Sequence, residues 1–531
     1  MRVVWWRPSN LLLLMLPSFM AVRAIPIASP STTAALSLEL GTAAAFNSVR
    51  RGYVGFTLSF LTGTDYGELW ANTSIVTIDL DKPQFVTLVS ELAPGMLRVG
   101  GGGEYRIVMD VDGKTCAASK TPASYCLTMA RWREILAFAH HTGVQLIWGL
   151  GAQRRKNGTS PLDTANIAAF LSYTATLGPS ILSSSSSPGG LLGFELGNEL
   201  DGGDYTTGIA VNPSVLAADY RSLKAMISQH WPKTDARPLL AGPAMHMQAT
   251  WARLFLSALG PHCLDIFTFH DYVGYGLDPQ LPRKLLDPAF LTGYWDQAVA
   301  TIEMAKALQP SASVMVGETS AAWHSGQCGT TNRFAGSFWY ANALGRMARG
   351  GVQGLARHSL NGGCYAMLNR SSPTMQPHPD YWLAKLYAEL MGDDALDLRT
   401  LLADSPDAAW RASHVLAYAH SSRRFPRSAA SAGSGATLLL INVSPTDQFT
   451  MTLSDYAGLM SPRYEYHVAG NCAAAQTRRL KPADSNPQAQ TRRLAVAVHR
   501  RFCLPSTRSL EPCAAALLAL TSPLLEHSRA E

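Results

Sequence analysis

Two glutamates, each closing a short apolar run, have the clearest chemical capacity in this 531-residue chain. Glu199 stands in Gly193-Phe194-Glu195-Leu196-Gly197-Asn198-Glu199-Leu200, and Glu318 in Ser313-Val314-Met315-Val316-Gly317-Glu318-Thr319. Both runs read as buried strands that leave a parallel sheet on small and polar residues. An acid at such a strand end is costly to bury and is ordinarily there for chemistry. Two of them suit glycosidic cleavage, with one as acid/base and the other as nucleophile. The structural alternative for either alone is a helix cap or an arginine partner. The chemistry needs opposite protonation states. Glu318 must be ionised to attack, and burial with the adjacent charge of Glu318 is expected to raise the pKa of Glu199. No metal or organic cofactor is required.

The elements that must hold these residues alternate regularly. Strands are expected at Tyr53–Thr57, Met96–Val99, Val144–Trp148, Gly193–Leu196, Leu239–Gly242, Ile266–Phe269, Ser313–Val316 and Val352–Ala356. Amphipathic segments at Leu127–Thr142, Asp163–Leu177, Ala218–His230, Trp251–Leu259, Trp295–Leu308 and Asn332–Ala348 separate them. The pattern predicts a (β/α)8 TIM barrel over residues 51–394. Reactive side chains of such barrels converge at the C-terminal ends of the strands. The residues in those places are Arg98, Asn198 with Glu199, His270-Asp271-Tyr272, Glu318, and Arg357-His358. Gly100–Gly103 lacks both nucleotide-binding glycine patterns, and Ser183–Ser187 reads as an insertion loop.

Past about Ala395 the rhythm changes to strands without a convincing helix: Ala408–His420, Ala436–Val443 and Gln448–Leu453. Residues 395–531 are therefore expected to form a C-terminal β-sandwich. Residues 25–50, with Leu36, Leu38 and Leu40 alternating, supply an N-terminal strand that can join it. The last stretch carries Arg478, Arg479, Lys481, Arg492, Arg493, Arg500 and Arg501, and reads either as a polyanion-binding patch or as a solvated loop.

Residues 1–24 read as a secretory signal: Arg2 and Arg7, an apolar core from Leu11 to Met20, and the small-residue end Ala21-Val22-Arg23-Ala24. That core is too short and interrupted for a transmembrane anchor, and no apolar run of spanning length follows, Ala514 to Leu525 being too short and holding Pro523. The expectation is a protein of the cell exterior, or of a lysosome or vacuole. Eight cysteines fit an oxidising compartment, and Cys116 and Cys126, close across a polar loop, are expected to form a bridge. Sequons at Asn72, Asn157, Asn369 and Asn442 agree with secretion. The net charge of +6 is small for this length and does not argue for nucleic acid.

With both glutamates placed, the chain resembles the heparanase-like glycoside hydrolases of family 79, especially their plant-type branch. The resemblance is carried by Phe194-Glu-Leu-Gly-Asn-Glu-Leu200, Gly317-Glu-Thr-Ser320, Leu97-Arg-Val-Gly-Gly101, Cys126-Leu-Thr-Met-Ala-Arg-Trp132, Arg357 to Gly363 with Tyr365, and Pro379-Asp-Tyr-Trp382. It covers Tyr53 to Gly392 well and the following strands more weakly. It implies a retaining endo-β-glucuronidase with Glu199 as acid/base and Glu318 as nucleophile. Asn198 would contact the sugar, His270 and Tyr272 would orient the nucleophile, and Gly363 and Tyr365 would line the pocket near the uronate carboxylate. The partner implied is a uronate-containing polysaccharide or proteoglycan glycan. Four positions depart from the family pattern: Ser59 stands for an aspartate that grips the sugar, Gly102 for a threonine, Asp271 for a second histidine, and Ser421 for a cysteine of the sandwich. A non-catalytic glycan-binding protein and a glycosidase for another β-glycoside are the rival readings.

Overall fold

A computed structural model of the chain describes residues 33–41, 47–202, 209–293, 295–372, 374–401, 408–423, 436–444, 448–454, 464–471, 474–479 and 517–521. The expected signal segment and most of the basic C-terminal stretch lie outside these residues.

Eight parallel strands close into a barrel in sequence order: β1 (Val54–Ser59), β2 (Met96–Gly100), β3 (Gln145–Leu150), β4 (Gly190–Leu196), β5 (Leu239–Met245), β6 (Ile266–Tyr272), β7 (Ser313–Ser320) and β8 (Gly354–Arg357). Helices α1 (Pro83–Ser90), α2 (Met129–Thr142), α3 (Ala165–Thr176), α4 (Pro213–His230), α5 (Ala249–Leu259), α6 (Trp295–Leu308) and α7 (Phe334–Gly350) connect them, and α8 (Pro379–Leu390) follows β8. This is the (β/α)8 architecture expected.

The strands are near-continuous apolar runs because helices cover their outer face and other strands' side chains fill the interior. Inside the barrel Met96, Ile147, Leu192, Ala241, Ile266, Met315 and Ala356 form one apolar cluster. Two residues further along their strands, Arg98 and Thr268 face the same interior, and there the lining turns polar. Outside, α2 shows how a helix is fixed. The Thr128 hydroxyl accepts the Arg131 N–H at 3.1 Å at its start, Gly143 ends it with φ 76°, and Trp132 packs on Trp148 of β3 with ring centroids 4.9 Å apart.

The C-terminal strands form two sheets. Thr33–Leu40 lies between Leu398–Leu401, antiparallel, and Gln448–Ser454, parallel. The second sheet includes Met391–Leu396, Val415–Ser422 and Ala436–Asn442. Leu36, Leu38 and Leu40 pack against Leu398, Val415, Leu438 and Leu440 between the two sheets. The expected strand over Ala408–His420 is corrected: Ala408–Ser413 is a short helix and the strand starts at Val415. The alanine-rich start of that stretch favours helix, and only its later part pairs with the buried Ala436–Asn442. Asn442 is itself buried in that strand. Asn72 and Asn157 are exposed and Asn369 is half-buried.

Candidate active site

The two glutamates meet at the C-terminal mouth of the barrel because three local departures from regular strand aim them there. In β6 the register against β7 shifts between Phe269 and His270, which sets His270 opposite Glu318. In β7 the register against β8 shifts between Val316 and Thr319. Such irregularities at a barrel rim re-aim side chains. After β4 the chain turns sharply: Gly197 has φ 79°, and a Cβ there would lie 2.5 Å from Leu200. Glu199 itself has φ 52°, a costly conformation for a side-chain-bearing residue, held by its N–H donating to Ala244 O at 2.8 Å.

Glu318 is the more tightly held acid. Arg98 reaches it from β2, donating from Nη1 to Oε2 at 2.8 Å, and Tyr272 donates its hydroxyl to Oε1 at 2.5 Å. The same guanidinium donates to Glu195 Oε2 at 2.6 Å and to Asn198 Oδ1 at 3.0 Å, so one buried arginine fixes both acidic strand ends. Thr268 completes the layer by donating to Glu195 Oε1 at 2.7 Å. Burial alone would raise the Glu318 carboxyl. The nearby His358, His270 and Arg98 outweigh it and hold the group at about 2, ionised and ready to attack.

Glu199 is set differently. His270 donates from Nδ1 to its Oε1 at 2.7 Å, and His246 Nε2 lies 3.3 Å from its Oε2. Asp201 fixes the ring of His246, accepting from Nδ1 at 3.2 Å and from the His246 backbone N–H at 3.2 Å. Burial would raise the Glu199 carboxyl, but the hydrogen bonds from the two histidines pull it well below the carboxylate range. The expectation of a raised acid is therefore corrected for the free protein: the sequence reading placed only Glu318 beside Glu199, and the fold adds two histidines. A second correction concerns His270, which bonds the expected acid/base rather than the nucleophile. Tyr272 does reach Glu318.

Ligand atoms of Glu199, His270 and Glu318 all lie within 4.8 Å of one another. That cluster has the donor types of a cation site, yet Glu318 already receives the Arg98 guanidinium there. The other such group, Asp110 with Cys116 and Cys126, has both sulfurs joined in the expected disulfide.

The rim supplies the remaining residues. Gly363, with φ 74°, leaves room for the Tyr365 ring, which a Cβ would approach to 2.6 Å. Tyr365 and Trp70 pack on His358, whose Nδ1 is 2.6 Å from Thr57 Oγ1. Burial lowers the His358 pKa to about 4. Tyr275 and Trp323, in the loops after β6 and β7, stack with centroids 4.4 Å apart and remain more than one-third exposed. A second disulfide, Cys328–Cys364, ties the β7 loop to the β8 loop. Ser59 offers the site no carboxylate: it is buried, and its hydroxyl accepts the Leu61 N–H at 3.2 Å. Of the residues gathered here, Glu195, Asp201 and His246 were not singled out by sequence. Glu195 was visible inside the strand motif. His246 follows the fifth strand, and its place in the C-terminal ring was the available signal.

Residues 37–345 match the model of the N-terminal domain of glycosyl hydrolase family 79. The chain belongs to that family. Relatives within or near it include heparanase-like protein 2 of Arabidopsis thaliana, 30% identical over 402 residues that span 73% of this chain and 69% of the relative. Baicalin-beta-D-glucuronidase of Scutellaria baicalensis is 28% identical over 81% of both chains. The family 51 arabinofuranosidase of Xanthomonas axonopodis pv. citri shares the fold, with a TM-score of 0.62 at 13% identity over 92% of this chain and all of that one. Family 79 membership makes the chain a glycoside hydrolase with a glycan as its substrate class. No helix among the described residues is long and apolar enough to cross a membrane.

Proposed function

We propose that this family 79 member is a retaining β-glucuronidase acting outside the cytosol on glucuronic-acid-bearing glycans. The observation that carries the reading is the pair of carboxylates with oxygens within 4.8 Å of each other at the barrel mouth. So close an approach is in keeping with the carboxyl separation of about 5–5.5 Å used in double displacement, rather than the about 6.5–9.5 Å of inverting enzymes. Glu318, held ionised by Arg98 and Tyr272, attacks the anomeric carbon, and the C–O bond to the leaving sugar breaks. The leaving oxygen takes its proton from Glu199. Water then attacks the glycosyl-enzyme, gives its proton to Glu199 and frees Glu318.

Asn198, fixed by Arg98, contacts the sugar beside the scissile bond, and Gly363 with Tyr365 lines the uronate pocket. The exposed Tyr275–Trp323 pair offers a flat apolar surface of the kind a sugar ring covers. The likeness to plant heparanase-like proteins favours glucuronic-acid-bearing arabinogalactan over heparan sulfate as the substrate class. The leader-like start and the two disulfides support export. Ser59 favours one rival reading, a glycosidase for another β-glycoside, since the carboxylate usual at that position is missing.

The test is hydrolysis of 4-nitrophenyl β-glucuronide by the purified protein beside Glu318→Gln, with the first-formed anomer followed by proton NMR. Release of the β anomer, lost in the variant, is expected. Release of the α anomer, or full activity in Glu318→Gln, refutes the mechanism, and a stronger response to an aryl galactoside or xyloside moves the substrate.

A further inference from the structure

Glu199 cannot serve as the acid in the state its neighbours impose unless a proton is kept within reach, and the described residues include a place for it. Asp201 Oδ1 accepts both the Nδ1 hydrogen and the backbone N–H of His246. With the Nδ1 hydrogen directed to Asp201, Nε2 faces Glu199 Oε2 at 3.3 Å. Two lone pairs do not face each other at that distance without repulsion, so a proton lies between them. On the opposite oxygen His270 donates from Nδ1, and its buried Nε2 has no partner among the described residues. His246 is also the open side of the pair. Its side chain is 38% exposed against 1% for His270, so a leaving oxygen approaches Glu199 from there.

We propose that His246, held by Asp201, is a positioning residue that stores the proton Glu199 delivers to the leaving group. The proposal deepens the glycosidase reading above and rests on it for the catalytic step. When the glycosidic oxygen arrives, the Nε2 proton passes to Glu199 and on to that oxygen. The C–O bond to the leaving group breaks as Glu318 forms its bond to the anomeric carbon, leaving His246 as the uncharged imidazole. In the second half, water adds to the anomeric carbon, the bond to Glu318 breaks, and the water proton returns through Glu199 to His246. Charges are restored at the end of the cycle. The groups facing His246 are Glu199 and Asp201 from the β4 loop and the Gln248 amide, which lies beside it at Gly202; His270 and Glu318 face it only across Glu199. The hydrogen bonds from Asp201 and Glu199 overcome burial and lift His246 to about 11, in accord with a ring that keeps its proton at neutral pH.

The test uses the full chain, His246→Gln, and β-glucuronides whose leaving groups run from 4-nitrophenol through phenol to methanol. Protonation by a positioned acid contributes about 10²–10⁴-fold where the leaving group needs it. The loss in kcat/KM should therefore grow with leaving-group pKa, exceeding the 4-nitrophenyl loss by about 100-fold for methyl glucuronide. The alkaline limb of the pH profile should move to lower pH by more than about one unit. An equal loss for every leaving group with an unmoved alkaline limb would overturn the proposal, as would no loss at all. Nitrogen-15 NMR of the His246 ring gives a readout that needs no turnover. Both ring nitrogens should be protonated at pH 7 in the parent protein and not in Glu199→Gln. A ring with one proton in the parent refutes the proposal. If the parent hydrolyses no glucuronide, the substrate reading falls while the NMR result still decides the shared proton.

Discussion

Replacing Arg98 by lysine keeps the charge and removes the fork, and so measures what the fork does. The guanidinium serves Glu195, Glu318 and Asn198 at 2.6, 2.8 and 3.0 Å from three separate nitrogens. A lysine ammonium on a shorter stem reaches one of these acceptors well. One carboxylate and Asn198 then each lose a hydrogen bond from a charged donor, worth about 1.5–3 kcal/mol apiece. All three sites are buried, so solvent does not compensate, and the barrel should lose about 3–6 kcal/mol. The loss at Asn198 and Glu318 should also lower kcat/KM at least about 100-fold, since this residue sets the nucleophile and the asparagine beside the acid/base. The assay is a double-mutant cycle with Glu195→Gln, read by thermal unfolding and by aryl glycoside hydrolysis. Glu195→Gln relieves the carboxylate that lysine leaves unserved, so the double variant should be more stable than the two single losses add up to. Strict additivity, or a melting point and kcat/KM for Arg98→Lys close to the parent, would show that the fork does not organise the site.

Tyr272→Phe removes a charged hydrogen bond to Glu318 and should raise that carboxyl by about one to two pKa units. Because its folded value is depressed, the acid limb of kcat/KM should move up from about 2 in the variant, and an unmoved limb would refute the assignment. Asp271 is buried, with Oδ1 lacking a partner among the described residues, and burial raises it to about 7. A raised acid stabilises the fold below its unfolded value near 3.8 and loses that contribution as pH rises towards 7. Asp271→Asn should therefore flatten the dependence of melting temperature on pH between about 4 and 7 and stabilise the protein at neutral pH; a slope equal to the parent's would contradict this. Replacing Cys328 and Cys364 together by serine removes a cross-link between residues 36 apart. Loop entropy puts the cost at about 3–4 kcal/mol, measurable by thermal unfolding, and reduction of the parent, which also opens Cys116–Cys126, should lower the melting temperature at least as far.

The alternation of apolar strand and amphipathic helix was sufficient to determine the barrel, since each period reports which faces must be buried. The strand-ending glutamates were legible for the same reason: a charge that closes an apolar run has few structural uses. The tie between Cys116 and Cys126 was readable because they lie ten residues apart, whereas Cys328 and Cys364 meet only after two barrel loops are brought side by side. Contacts that cross the barrel were not legible. Nothing local in Gly242-Pro243-Ala244-Met245-His246 says that its histidine faces Glu199, because that meeting depends on strand register and on the positive φ of Glu199. The protonation of the acid was misjudged on the same ground. Burial of a carboxyl is a property of its own strand, which sequence reports, but the groups that outweigh burial come from strands β5 and β6, and only closure of the barrel sets them within hydrogen-bonding distance.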